Sequence, residues 1–215
     1  MNKLIAALFG LALSAPLPAL AAPADDFVDA LRGHCGQAYA GQITANLPPP
    51  TTPDPFEGQT LLMHVRECGG SVLRIPFHVG SDRSRTWVIT RTAAGLRLKH
   101  DHRHQDGSAD PVTMYGGDSV DAGTARRQAF PVDAESIANF KANGLDASLQ
   151  NTWAIEIEPG RRFVYELSRP SGRLFRVEFD LSRPVAPPPP PWGAEAAASE
   201  TPGTRPARQA ADASP

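Results

Sequence analysis

Along residues 174–181 the side chains change character at every step. Phe175, Val177, Phe179 and Leu181 are apolar, while Arg176, Glu178 and Asp180 between them are charged. A β-strand sends successive side chains to opposite faces, so this segment predicts a strand with one face in a core and one in water. Trp153, Ile155 and Ile157 repeat the pattern against Ala154, Glu156 and Glu158, and Phe163, Tyr165 and Leu167 repeat it against Val164 and Glu166. In the first half, Leu61, Met63 and Val65 alternate with His64 and Arg66, and Leu73, Ile75, Phe77 and Val79 alternate with Arg74, Pro76 and His78. Adding 37–44, 86–92, 96–104, 112–116 and 125–132 gives about ten strands, separated by Gly, Pro, Asp or Ser. Helical spacing is confined to 24–32, with Phe27, Val28 and Leu31 ahead of Gly33, and to 133–143, with an acidic cap, Ile137 and Phe140 on one face and Gly144 as a stop. The expected fold is all-β: an antiparallel up-and-down barrel of about ten strands with one or two short helices, because open sheet edges invite aggregation.

Facing residues must match across each hairpin. A Gly69-Gly70-Ser71 loop puts Val65 opposite Ile75 and Met63 opposite Phe77, and turns His64 and His78 outward. Pro76 cannot donate to a ladder, which predicts a bulge or an edge there. A two-residue Ala94-Gly95 turn pairs Ile89 with His100 and Trp87 with His102.

The ends of the chain have a different composition. Lys3, an apolar run over 4–13 and the exit Ala19-Leu20-Ala21-Ala22 describe a secretory signal peptide over 1–21, cleaved after Ala21. Residues 22–184 then form the barrel domain, and 185–215, with prolines 187–191 in a row, form a disordered Pro/Ala-rich tail whose proline run is a polyproline II rod. The product is expected in the periplasm or outside the cell, with no membrane span once the signal is removed.

The meander, opened by a short helix and by Ala40-Gly41-Gln42-Ile43, resembles the calycin-like barrels, the broad group that holds lipocalins and fatty-acid-binding proteins. The stretch 98–104, Leu-Lys-His-Asp-His-Arg-His, continuing through Thr113-Met114-Tyr115-Gly116-Gly117, is similar to uncharacterised secreted proteins of proteobacteria. The first resemblance implies a barrel and the second implies export. Neither implies a ligand.

Among 215 residues, 21 Lys+Arg stand against 23 Asp+Glu, a formal charge of −2 that offers no electrostatic grip on nucleic acid. The two cysteines, Cys35 and Cys68, are expected to pair as a disulfide in an oxidising compartment. Without a Cys-x-x-Cys spacing, no redox role follows.

Chemistry concentrates in 96–104. On a strand Leu96, Leu98, His100, His102 and His104 share a face, so inward leucines imply inward histidines. A His-x-His pair permits a shared divalent metal or haem iron, with His104, Asp106 or Asp110 as a third ligand. Rim histidines hydrogen-bonded to Asp101, Asp106 or water, or an acid–base or substrate-binding role, are the other readings. The leading expectation is a non-enzymatic barrel holding an unidentified small molecule in a cavity lined by Phe77, Trp87, Ile89, Leu98, His100, His102 and Trp153. The alternatives are a zinc-type enzyme using His100, His102 and His104, and an envelope module docking a protein partner through its tail or through His64, Arg66, Arg74 and His78.

Overall fold

A computed structural model describes residues 22–194. The signal expected over 1–21 and the tail beyond Ala194 lie outside the described residues. Ten strands form: β1 (Ala38–Leu47), β2 (Leu61–His64), β3 (Val72–Val79), β4 (Asp82–Thr92), β5 (Gly95–His102), β6 (Tyr115–Asp118), β7 (Arg127–Pro131), β8 (Thr152–Glu158), β9 (Arg162–Ser168) and β10 (Leu174–Val185). All pairings are antiparallel, and the order around the sheet is β6-β5-β4-β3-β2-β1-β10-β9-β8-β7. Strands next to each other in sequence are therefore neighbours in space, β1 meets β10, and the barrel is nearly closed with its seam between β6 and β7.

The seam is sealed by backbone and by α2 (Ala134–Ala142). Asp133 N–H donates to Gly116 O at 2.9 Å, and Gly116 N–H donates to Ser136 Oγ at 2.8 Å. Glycines are required here because a Cβ on Gly116 would stand 1.9 Å from Leu98 O and one on Gly117 would stand 1.7 Å from Pro131 O. Asp133 also caps α2 by accepting from Ser136 N–H. Lys99, on the outward side of β5, donates from Nζ to Asp133 at 2.7 Å and Glu135 at 3.0 Å, pinning the start of α2 across the seam.

Alternation decides which residues face in. Leu73, Ile75, Ile155, Ile157, Val177 and Phe179 are all buried, as are Phe163 and Leu181. The ring of Phe179 occupies the space a Cβ on Gly41 would take, at 2.6 Å, which explains the glycine in the first strand. One end of the barrel is stoppered by α1 (Ala22–Arg32), whose Phe27, Val28 and Leu31 are buried. Asp25 pairs with Arg91 at the end of β4, and Arg32 reaches Gly70 O in the β2–β3 loop at 2.6 Å.

Cys35, just past α1, is bonded to Cys68, just past β2, with Cα atoms 6.2 Å apart. The link spans 33 residues, for which the chain-entropy model gives about 3–4 kcal/mol. Replacing both cysteines by serine is expected to lower the unfolding free energy by about that amount in a denaturant titration. A loss below about 1 kcal/mol would mean that α1 holds the closed end without the cross-link.

Three expectations need correction. Met63 does face Phe77, but the β4–β5 hairpin turns at Ala93-Ala94, so Trp87 faces His100, Ile89 faces Leu98 and Arg85 faces His102. The two-residue slip keeps every side chain on its expected face. Val65 has left the β2–β3 ladder, its N–H donating to Gln37 O at 2.9 Å. His78 alternates outward as expected yet is only 2% exposed, and it lines a surface pocket together with Pro188, Pro189 and Trp192. The ladder irregularity falls between Phe77 and Val79, close to the proline that cannot donate.

That proline-rich segment belongs to the stretch assigned by composition to the tail. Arg83 donates to Pro190 O at 2.7 Å, Trp192 N–H donates to Arg83 O at 3.1 Å, and Pro191 is buried. Gly193 backs onto Gly107 so closely that a Cβ on Gly107 would stand 3.0 Å from its Cα. Residues 186–194 thus form a strap across the outside of β3, β4 and β5.

Candidate functional site

The end of the barrel opposite α1 is open, and its interior holds a cavity of ≈ 290 Å³. β3, β4 and β5 supply Phe77, Trp87, Arg85, His100 and His102, while β8, β9 and β10 supply Trp153, Tyr165, Leu167 and Phe175. Tyr115 enters from β6, Phe140 from α2, Phe56 from the β1–β2 connection, and Leu145 and Ser148 from the residues around the short 3-10 helix Asp146–Ser148. The walls are mostly aromatic, a surface suited to planar or apolar bodies. Trp87 stacks on Tyr165 with ring centroids 4.6 Å apart and on Phe77 at 5.0 Å.

The two strand histidines form the polar floor. His100 Nδ1 lies 3.1 Å from Tyr115 O, a carbonyl that only accepts, so this nitrogen carries the proton. His100 Nε2 then accepts from the Tyr165 hydroxyl at 2.9 Å. His102 Nε2 lies 3.0 Å from the Tyr115 hydroxyl. The His100 ring also stacks on Tyr115, with centroids 4.7 Å apart and planes 11° apart. Burial lowers the His100 pKa to about 3 and the His102 pKa to about 4, the Arg85 charge adding to the latter. Burial likewise pushes Tyr115 up to about 12 and Tyr165 well above its usual value. Both imidazoles are neutral and both phenols keep their protons across physiological pH.

No family model matches this chain, and no curated protein or solved structure matches it either. Its chemistry must be read from the residues.

Phe77, Trp87, His100, His102 and Trp153 line the cavity as the strand pattern places them, whereas Ile89 and Leu98 do not. Those two face each other one pair deeper and are fully buried in the packed core. His104 lies beyond the end of β5, where its N–H donates to Ser108 O, and its ring is half exposed, with Nε2 3.8 Å from Asp110. The three alternate histidines therefore do not converge. Both nitrogens of His100 are already engaged, and among the described residues no group of three His, Cys, Asp or Glu side chains is arranged to hold a metal ion. Asp106 is spent on its own turn, accepting from Ser108.

Sequence reasoning missed part of the rim: Arg85 shares the face of Trp87 on β4 and Asp110 is among the candidate third ligands, but Arg169, Arg173, Asn151 and Phe56 come from loops, where period-two alternation carries no information about facing. The one signal available was the pair of arginines bracketing the Pro170-Ser171-Gly172 turn, which a hairpin necessarily brings to one barrel end.

Proposed function

We propose that this protein is an exported barrel that binds a small, largely apolar or aromatic molecule in the open-end cavity without transforming it. The observation that carries this reading is a ≈ 290 Å³ cavity walled by Trp87, Trp153, Tyr115, Tyr165, Phe77 and Phe175. Such a size suits a compact ligand rather than a long lipid. Among the described residues that line the space no Ser, Thr or Cys is hydrogen-bonded to a base, and the neutral histidines are engaged by tyrosine hydroxyls. The zinc-enzyme reading has weaker support, because a metal on His100 would have to displace Tyr165 from Nε2. Export is supported by the charged start and apolar run before residue 22 and by the Cys35–Cys68 link.

The neutral dye N-phenyl-1-naphthylamine provides the test. Saturable binding of one dye per chain is expected, with energy transfer from Trp87 and Trp153. Ser148→Trp, which places an indole in the cavity mouth, should weaken binding about tenfold or more while leaving the unfolding midpoint nearly unchanged. Absence of saturable binding, or binding indifferent to Ser148→Trp, would overturn the proposal.

A further inference from the structure

The arginines of this barrel are mostly neutralised by nearby carboxylates. On the outer face of β7 to β10, Arg127 lies between Glu156 and Glu166, and Arg162 and Arg176 interleave with Glu156, Glu158, Glu166 and Glu178. Arg97 forks onto Asp118, and Arg91 holds Asp25. Arg169 and Arg173 differ. Both are half-buried at the cavity mouth, and neither has a carboxylate partner among the described residues.

Their direct partners are neutral, and the nearest carboxylates on the Arg173 side, Asp54 and Glu57, are reached only through the Asn46 amide, which donates to both. Arg169 Nε donates to Asn151 Oδ1 at 2.6 Å. Arg173 donates to Asn46 Oδ1 at 2.6 Å and Leu47 O at 3.1 Å, and its guanidinium carbon lies 5.7 Å from the centre of the Phe175 ring. A backbone pair, Arg169 N–H to Arg173 O at 3.0 Å, brings them together across the β9–β10 turn. Each guanidinium has five N–H donors, so several remain for a ligand. The Arg169 pKa is lowered by burial and then by the charge of Arg173, which records two like charges held close without an anion between them. On the opposite wall Arg85 pairs with Asp82 at 2.5 Å and lies over the Phe56 ring. Of the three guanidiniums at the rim, Arg85 is thus paired with Asp82, Arg169 and Arg173 have no direct carboxylate partner, and the histidines beneath them are neutral.

Two guanidiniums without a direct carboxylate partner, set above an aromatic well, complement one kind of molecule. We infer that the ligand is a compact ring-bearing anion, whose planar body lies between Trp87, Trp153 and Tyr115 and whose carboxylate or sulfonate is held by Arg169 and Arg173. This inference rests on the cavity being a binding site and adds the charge of what enters it. Guanidinium forks match two-oxygen anions, and partial burial strengthens such charge-assisted bonds.

A matched pair of competitors separates the two levels. The neutral reporter N-phenyl-1-naphthylamine is displaced either by 2-naphthoate or by 2-naphthylmethanol, which share a ring system and differ in the charged group. Naphthoate is expected to compete at least about tenfold more strongly, and Arg169→Gln with Arg173→Gln should erase that advantage, read as the ratio of acid to alcohol affinities on the same protein. In the unaltered protein, raising salt to about 0.5 M should shrink the advantage, a readout independent of whether the variant folds. Equal competition by acid and alcohol, or an acid preference untouched by salt and by the substitutions, overturns the anion assignment while the cavity reading stands. Failure of the reporter to bind at all overturns both.

Discussion

Acidification from neutral pH to pH 4 is expected to cost the folded protein of order 5 kcal/mol or more, with most of the loss below pH 6.5. His100 is held neutral inside the barrel with its pKa near 3, and His102 and His78 are both held near 4. Each folded imidazole binds fewer protons than its unfolded counterpart at 6.5, so its stabilising contribution is complete above that pH. It then declines by about 1.4 kcal/mol per unit as pH falls toward the folded value. By pH 4 His100 alone accounts for about 3 kcal/mol, and the other two act in the same direction. Asp82 and Asp133, whose pKa values are lowered by hydrogen bonds and paired cations, resist protonation over this range and contribute only at still lower pH. Urea midpoints measured against pH give the slope directly. His100→Gln should flatten it. A midpoint constant between pH 6.5 and 4.5 would contradict the buried, neutral state of these rings.

Gly117→Ala should unfold the seam. Its Cβ would stand 1.7 Å from Pro131 O, where real Cβ contacts essentially never fall under 3.0 Å, and the obstacle is backbone rather than a side chain that can rotate away. β6 or β7 must retreat, which breaks the Asp133-to-Gly116 bond and releases the start of α2. The expected cost is about 3 kcal/mol or more, read as a lowered thermal midpoint. Gly69→Ala is the comparison, since nothing lies within 4 Å of a Cβ there and the change should be nearly neutral. A Gly117→Ala protein as stable as that control would mean that the gap between β6 and β7 is not held by close backbone packing.

The barrel was readable because burial on one face writes itself into a sequence with period two. Phe175, Val177, Phe179 and Leu181 face inward for the same reason that Arg176, Glu178 and Asp180 face out. Strand order needed little more, as each β-hairpin connects neighbours. The β4–β5 register was less legible: Ala93-Ala94 and Ala94-Gly95 both serve as two-residue turns, and the resulting slip of two leaves the pattern unchanged. Half of the candidate site followed from alternation, down to Trp87, His100, His102 and Trp153. The rest comes from Arg169, Arg173, Phe56 and Asp110, which lie in loops and at strand ends, placed by tertiary packing that local periodicity cannot encode. Trp192 illustrates the same limit. A proline-rich composition indicates a stiff rod, but the groove that receives it is built from Arg83 and neighbours more than a hundred residues earlier.

The strap also sets a direction of exit. Gly193 rests on Gly107, in the loop that carries Asp110 to one wall of the cavity, so a fluorophore or purification handle appended after Ala194 would leave beside the entrance. One joined ahead of Ala22 would emerge at the opposite pole. Labelling experiments can therefore choose, by attaching the group at Ala194 or at Ala22, whether it crowds the doorway or stays clear of it.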